Sequence, residues 1–132
     1  MKRKILIVED NVGLSQMQKD WFLQAGYEAV TAMNEPIARS LIRKTQFDLI
    51  LSDVRLPEGD GISLLEWLRK ERKDIPFIIT TEYVSVPDVV RTIKLGAIDY
   101  LPKPVRKEHL LELAEDVFRP MVIVRKQEKK LF

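Results

Sequence analysis

Five short apolar runs alternate with five segments in which apolar residues recur at helical spacing. The runs occupy residues 5–8, 27–32, 47–51, 77–80 and 100–101. The first is continuously aliphatic, which is typical of a strand buried on both faces. Strands that alternate with helices through short connections form a parallel sheet with helices on both faces, because the crossovers are right-handed. The sequence therefore predicts one α/β domain with the element order βαβαβαβαβα.

The helical segments predict which side chains face the core. Asn34 and Asp60 stand where N-caps are expected. The predicted core stripes are Leu14, Met17, Trp21 and Phe22; Ile37, Leu41 and Ile42; Ile62, Leu65 and Leu68; Val89, Val90, Ile93 and Ala97; and Leu110, Leu111, Ala114, Val117 and Phe118. Trp21 and Trp67 are predicted to be packing residues, and His109 is predicted to be a plain surface residue.

Composition and charge exclude several classes of function. The chain has no cysteine, which rules out disulfides, a thiol nucleophile and thiolate metal sites. It has no apolar run near the roughly 20 residues of a membrane span and no secretory signal, so a cytoplasmic protein without a membrane partner is expected. The net charge is +2, but residues 119–132 carry five basic residues and one acidic residue. Residues 1–118 therefore hold 17 basic and 19 acidic residues, and direct nucleic-acid binding is not expected of them.

Polar residues capable of chemistry follow the predicted strands. The first strand ends at Glu9 and Asp10, the third at Asp53 and the fourth at Thr81, while Lys103 follows the fifth. In an open parallel sheet, the functional crevice lies at the carboxyl ends of the strands. We therefore expect three carboxylates, a hydroxyl and a lysine to converge at one edge.

Such a convergence favours metal-assisted phosphoryl chemistry. Two carboxylates about 5 Å apart repel by roughly 3 kcal/mol at an effective dielectric near 20, so a divalent cation is expected among them. Oxygen-only ligands with room for water suit Mg²⁺. A carboxylate can act as a nucleophile and form an acyl phosphate, and Asp53 is the best placed to do so. Lys103 could pair with the phosphoryl oxygens, and Thr81 could donate a hydrogen bond to one of them.

Four motifs in order resemble the receiver domain of bacterial response regulators over about residues 3–118. They are Ile-Leu-Ile-Val-Glu-Asp at 5–10, Ser-Asp-Val-Arg-Leu-Pro-Glu-Gly-Asp-Gly at 52–61, Thr81, and Gly-Ala-Ile-Asp-Tyr-Leu-Pro-Lys-Pro at 96–104. The resemblance implies a flavodoxin-like (βα)5 fold, doubly wound, with five parallel strands in the order 2-1-3-4-5. It implies that Asp53 is phosphorylated. It further implies that the Mg²⁺ ligands are Glu9, Asp10, Asp53 and the backbone carbonyl of Arg55.

The resemblance also implies a switch and its partners. Lys103 would bind the phosphoryl group, Thr81 and Tyr100 would be the switch pair, and the Lys103-Pro104 bond would be cis. The phosphodonor would be a sensor histidine kinase or a phosphotransfer protein. A homodimer through helix 4, strand 5 and helix 5 is a further expectation.

Two positions depart from the family pattern. Glu82 stands after the switch threonine, where the family usually has a small residue, and with Tyr83 it is expected to modulate access to the site. An alternative register makes Thr80 the switch residue, although the 22-residue spacing from Thr81 to Lys103 favours Thr81. Gly59 replaces a commonly apolar residue and is expected to loosen the loop after the phosphoacceptor.

The leading hypothesis is a phosphorylation-dependent switch that catalyses only its own phosphorylation and dephosphorylation. The alternative is a degenerate receiver that acts as a phosphorylation-independent interaction module. A flavodoxin-like or phosphatase enzyme is disfavoured, because Glu9 and Asp10 are anionic where flavin phosphate would bind and Arg55 stands where phosphatases of this type have a second aspartate.

We expect residues 1–118 to form the receiver domain. Residues 119–132 would be a C-terminal extension or the start of a linker to an effector, with Pro120 stopping or kinking the last helix. The residues at 52–57 and 96–104 resemble those of receivers attached to transcriptional activators of the nitrogen-regulation type.

Overall fold

Ten elements alternate along residues 2–119, which are the residues that the computed structural model describes. The strands are β1 Lys4–Val8, β2 Glu28–Ala32, β3 Leu49–Asp53, β4 Phe77–Thr81 and β5 Asp99–Pro102. The helices are α1 Val12–Gln24, α2 Glu35–Lys44, α3 Gly61–Lys70, α4 Val86–Lys94 and α5 Lys107–Phe118. The predicted helix stop at Pro120 lies outside the described residues, as does the rest of the C-terminal extension beyond Arg119.

The five strands form one parallel sheet in the order β2-β1-β3-β4-β5. This confirms the doubly wound fold and the strand order that the resemblance implied. Strand order reverses beside β1, so the carboxyl ends of β1 and β3 are neighbours at the point where ligands bind in such sheets. Asp53 at the end of β3 is in register with Thr80 of β4.

Side chains of alternate strand residues build two apolar clusters, one on each face of the sheet. Leu6 and Val8 pack with α2 and α3, whereas Ile5 and Ile7 pack with α1 and α5. All four side chains are fully buried. At about 25 cal/mol per Å² of apolar surface removed from water, this burial on both faces is the main force that holds the layers together.

Most of the predicted elements are confirmed, and the differences have physical reasons. Strand β3 runs two residues beyond the predicted 47–51, because Phe47 fills the core ahead of the strand while the pairing continues to Asp53. Asn34 and Asp60 accept hydrogen bonds from the third residue after each of them, as expected of N-caps. Helix α1 begins at Val12 instead of Leu14, because Asn11 caps it.

Three of the predicted helix stripes are partly wrong. In α1, Met17 is exposed, and the buried face consists of Ser15, Gln18 and Phe22. In α2, Ile37 is partly exposed, and Glu35, Ala38 and Ile42 are buried. In α4, Val90 and Ile93 are exposed, and Thr92 is the buried residue. The periodicity predicts that the more apolar face of each helix is buried. In these three helices, small and polar residues are buried instead.

Other packing predictions agree with the structure. Trp21 and Trp67 are partly buried against the two clusters, and His109 is exposed. The Lys103-Pro104 peptide bond is cis, as the resemblance implied. Within residues 2–119, none of the helices combines the length and apolar character that crossing a membrane requires.

Candidate functional site

The predicted acidic residues meet at the carboxyl edge of the sheet. Glu9 follows β1, Asp53 ends β3, and Asp10 precedes the N-cap of α1. One carboxylate oxygen from each of the three lies within 4.8 Å of the others. Glu9 and Asp53 are buried, and Asp10 is exposed.

Lys103 brings a positive charge into this cluster. Its ammonium donates to Oε1 of Glu9 at 2.6 Å and to Oδ2 of Asp53 at 2.8 Å. The backbone N–H of Lys103 donates to the carbonyl of Thr81 at 2.7 Å, which fixes the base of the lysine beside β4. One ammonium faces three carboxylates, so a net negative charge remains for a cation to offset.

Burial and ion pairing shift the pKa values of two of these groups. Burial raises the pKa of Glu9 above its ordinary value, and the hydrogen bonds from Lys103 and from the backbone N–H of Asn11 only partly offset that effect. Burial alone would lower the pKa of Lys103, but its hydrogen bonds to Asp53 and Glu9 outweigh burial and raise it. Lys103 therefore stays charged, whereas ionising Glu9 costs the folded protein free energy.

Gly61 allows α3 to begin directly against the phosphoacceptor candidate. A Cβ atom at this position would lie 2.2 Å from the carbonyl oxygen of Asp53 and 2.8 Å from Oγ of Ser52. The N–H of Gly61 donates to the carbonyl of Val54 at 2.8 Å. Only glycine allows this close approach, so the start of α3 and the end of β3 form one rigid corner.

Arg55 lies in the loop after β3 and forms an isolated antiparallel bridge with Asp60. The hydrogen bond from Gly61 to Val54 belongs to this bridge and does not use the carbonyl of Arg55. The guanidinium of Arg55 lies 4.8 Å from the centroid of the Tyr83 ring, and the Tyr83 residue is 63% exposed. Sequence reasoning assigned only the backbone of Arg55 and missed this stack, since contacts between loops have no periodic signature.

Thr81 and Tyr100 lie on one face of the sheet, and Thr80 lies on the other. Tyr100 is in register with Ile79 of β4, two residues before Thr81, whereas Thr80 is in register with Leu101. The Thr81 hydroxyl donates to the carbonyl of Tyr83 at 3.0 Å and accepts from its N–H at 3.1 Å. Glu82 between them is exposed.

A family model describes this combination of fold and site. The model of the response regulator receiver domain matches residues 5–115. The chain therefore belongs to the response regulator receiver domain family, as the four motifs predicted.

Curated relatives agree with this assignment. Response regulator protein PilR of Pseudomonas aeruginosa is 31% identical over 118 residues, which are 89% of this chain and 26% of that protein. Transcriptional regulatory protein ZraR of Salmonella typhimurium is 36% identical over 118 residues, which are 86% of this chain and 26% of that protein. The chain thus spans about a quarter of the length of these relatives.

Solved structures give the same result for the fold. The non-phosphorylated HemR receiver domain of Leptospira biflexa is 36% identical, has a TM-score of 0.82, and aligns over 90% of this chain and 98% of its own. A CheY-like receiver domain protein of Methanospirillum hungatei is 31% identical, has a TM-score of 0.84, and aligns over 98% of this chain and 99% of its own. The chain is therefore a receiver domain in structure as well as in sequence, a class of signalling domain and not a conventional enzyme.

Proposed function

We propose that this chain is a phosphorylation-dependent switch of a two-component system, in which Asp53 accepts a phosphoryl group with the help of Mg²⁺. The observation that carries the proposal is the position of Asp53. Its carboxylate ends a buried strand, 2.8 Å from the ammonium of Lys103 and within reach of the carboxylates of Glu9 and Asp10. A nucleophile, its charge partner and an acidic cation site thus adjoin one another.

In the proposed step, a carboxylate oxygen of Asp53 attacks the phosphorus of a phosphohistidine on a sensor histidine kinase or phosphotransfer protein. The new P–O bond forms as the P–N bond breaks, and the imidazole that leaves takes up a proton. Lys103 then pairs with a phosphoryl oxygen as a point charge, in place of the carboxylate that it contacts here. Dephosphorylation by water would return Asp53 to its free form.

The residues at the site fit Mg²⁺. The donors are all oxygens, they are few, and Asp10 keeps one side of the cluster open to water. Glu9, Asp10, Asp53 and the backbone carbonyl of Arg55 would hold the ion. When bound, the ion would neutralise the charge that otherwise keeps a phosphoryl anion away from a carboxylate.

Thr81 and Tyr100 are the proposed switch pair. They share a sheet face, whereas Thr80 belongs to the opposite one, which supports the register with Thr81. The Thr81 hydroxyl is hydrogen-bonded to the Tyr83 backbone, so turning toward a phosphoryl oxygen would release the start of the β4–α4 loop. Within the described residues, the buried hydroxyl of Tyr100 has no hydrogen-bond partner, so its orientation is set by packing.

Glu82 and Tyr83 would modulate how a phosphodonor reaches Asp53. Both side chains are exposed at the rim, and Tyr83 is covered on one side by the Arg55 guanidinium. The carboxylate of Glu82 would repel an anionic donor, whereas Arg55 would attract it. Their balance would set the rate of phosphorylation and leave the identity of the acceptor unchanged.

The proposed output surface is the apolar face of α4 with β5 and α5. Val86, Val90 and Ile93 of α4 are 73%, 44% and 66% exposed, which is unusual for three aliphatic residues on one helix. This exposure supports a homodimer through that face. Sedimentation of the wild type and of Ile93→Glu, each with and without a phosphoryl mimic, tests it: a mimic-dependent dimer only in the wild type is expected, and monomers throughout would contradict it.

We further propose that residues 1–118 are a regulatory domain and that residues 119–132 are a C-terminal extension or the start of a linker to an effector. Relatives named as transcriptional regulatory proteins are about four times as long as the matched segment, which supports an activator of the nitrogen-regulation type. A cytoplasmic location accords with this role.

The test is incubation of the protein with Mg²⁺ and acetyl phosphate, followed by intact mass measurement. The wild type should gain one phosphoryl group, and Asp53→Asn should gain none. Equal labelling of both proteins would overturn the assignment of Asp53. Failure of a folded wild type to label, with partner binding intact, would favour the alternative of a phosphorylation-independent interaction module.

A further inference from the structure

Glu35 is a buried carboxylate outside the acidic cluster. It is the first residue of α2 and only 5% exposed. A buried carboxylate is costly unless its oxygens are hydrogen-bonded. Here both oxygens are used: Oε1 accepts from the backbone N–H of Asp60 at 3.0 Å, and Oε2 pairs with the guanidinium of Arg39.

Besides Arg39 of α2, the partners of Glu35 belong to the loop that follows β3. The backbone N–H of Glu35 donates to the carbonyl of Glu58 at 3.1 Å, and its carboxylate accepts from Asp60. Asp60 in turn forms the bridge with Arg55 and caps α3 through Ser63. Glu35 thus holds one side of a narrow loop whose other side carries Arg55, the residue whose backbone carbonyl is a proposed Mg²⁺ ligand.

Gly59 makes room for this contact. Its φ is +80°, and a Cβ atom there would lie 2.2 Å from Oε1 and 2.7 Å from Cβ of Glu35. The sequence suggested that a glycine in place of the usual apolar residue would loosen the loop. The contact between Gly59 and Glu35 indicates the opposite. The glycine lets the Glu35 carboxylate reach the loop backbone and tie it down.

Arg39 holds the carboxylate from the other side. Its guanidinium pairs with Glu35 one helical turn earlier and lies 5.1 Å from the centroid of the Trp67 ring on α3. The negative charge also lies in the first turn of α2, where the helix dipole favours it. Glu35 is therefore fixed by two helices before it meets the loop.

We propose that Glu35 is a positioning residue for the cation site, holding the loop so that the Arg55 carbonyl can serve as a ligand. The inference rests on the Mg²⁺ site of the proposed function. Groups that orient metal ligands without touching the metal affect affinity by about 10- to 100-fold when they are removed. Glu35 acts in this way through the backbone of Asp60 and its bridge to Arg55.

The experiment measures Mg²⁺ binding by titration calorimetry on the unphosphorylated protein. Glu35→Ala should raise the dissociation constant about tenfold, and it should speed hydrogen exchange of the Asp60 amide. Glu35→Gln keeps a hydrogen-bond acceptor for the Asp60 amide, so this variant should lose less Mg²⁺ affinity than Glu35→Ala. Glu58→Ala is the matched control, because it removes the same charge from an exposed side chain in the same loop, and it should bind Mg²⁺ like the wild type.

Gly59→Ala provides a second route to the same result, because its methyl group would push the Glu35 carboxylate away from the loop. Its effect on Mg²⁺ affinity should shrink in part when Glu35→Ala is already present, because the clash with the carboxylate is gone while the backbone strain at φ +80° and the close approach to the Cβ atom of residue 35 remain. Wild-type affinity in folded Glu35→Ala would overturn the positioning role while leaving the cation site intact. A wild type that binds no Mg²⁺ would instead overturn the proposed function, on which the role of Glu35 rests.

Discussion

The Nζ atom of Lys103 lies 2.8 Å from Oδ2 of Asp53, so the candidate nucleophile is already paired with a cation before any ligand arrives. The same ammonium also contacts Glu9. This arrangement stabilises buried carboxylates in the metal-free protein. It also means that a metal must compete with the lysine for the same oxygens.

Removal of that competitor should strengthen metal binding. In Lys103→Met, the Mg²⁺ dissociation constant should fall by about tenfold or more, because the carboxylates lose their only close cationic partner within the described residues. Titration calorimetry measures the change. Lys94→Met, which removes an exposed lysine of α4, should leave the constant unchanged. Weaker binding in Lys103→Met would mean that the lysine organises the site and does not compete in it.

Glu9 should make the metal-free protein less stable at neutral pH. Because burial raises its pKa, the folded protein binds this proton more readily than the unfolded chain. The stability that it contributes is full below the ordinary value of 4.5 and is lost as the pH rises through the raised pKa. Glu9→Gln cannot ionise, so with EDTA at pH 7 it should have a larger free energy of unfolding than the wild type.

Urea unfolding across pH measures this difference in the free energy of unfolding, which should narrow as the pH falls through the raised pKa of Glu9 and should be absent below 4.5. Glu58→Gln changes an exposed side chain and should show little difference at any pH. A wild type more stable than Glu9→Gln at pH 7 would show that the bonds from Lys103 and Asn11 outweigh burial.

The Arg55–Tyr83 stack should slow access of small phosphodonors to Asp53. Its two loops leave the ends of neighbouring strands, and the guanidinium lies 4.8 Å from the ring centroid. Tyr83→Ala should raise the rate of labelling by acetyl phosphate about fivefold. The reason is that it removes a cation–π contact worth ~1 kcal/mol, which corresponds to a rate change of that size. Tyr83→Phe keeps the ring and should label at the wild-type rate. Equal labelling rates for Tyr83→Ala and Tyr83→Phe would show that the stack does not control access to Asp53.

Two glycines should respond oppositely to alanine. Gly61→Ala should destabilise the fold by about 2 kcal/mol or more, because its methyl group would meet the Asp53 backbone. Gly13 lies inside α1 and would place its Cβ at an ordinary 3.5 Å from the Asn11 side chain. Gly13→Ala should therefore stabilise by about 0.5–1 kcal/mol. Urea unfolding of both variants measures the contrast, and a neutral Gly61→Ala would refute the rigid corner.

Much of the site could be predicted because it lies where buried strands end. Glu9, Asp10 and Asp53 each follow an apolar run, and topology then brings those ends together. The hydrogen bond between the Glu35 carboxylate and the loop after Gly59 could not be predicted, because it depends on where one side chain from α2 meets a backbone N–H 25 residues later. The sequence offered one signal, a glycine where an apolar residue is usual, and its meaning was the reverse of the expected loosening.

Helix faces were predicted less well for a related reason. In α1, the spacing of apolar residues predicts a buried face that includes Met17, but the face that is buried consists of Ser15, Gln18 and Phe22. The sheet surface decides which face is buried, and small or hydrogen-bonding side chains can fit against it. The periodic pattern indicates which helix face is apolar, but it carries no information on the shape of the sheet surface against which the helix packs.

The central claim is that Asp53 forms an acyl phosphate that depends on the acidic cation site. Borohydride reduces an acyl phosphate on aspartate to homoserine, so treatment after labelling marks the acceptor for peptide mass mapping. With Mg²⁺ and acetyl phosphate, homoserine should be found at position 53, and it should be absent in EDTA. Homoserine at another carboxylate, or at position 53 regardless of Mg²⁺, would contradict the claim.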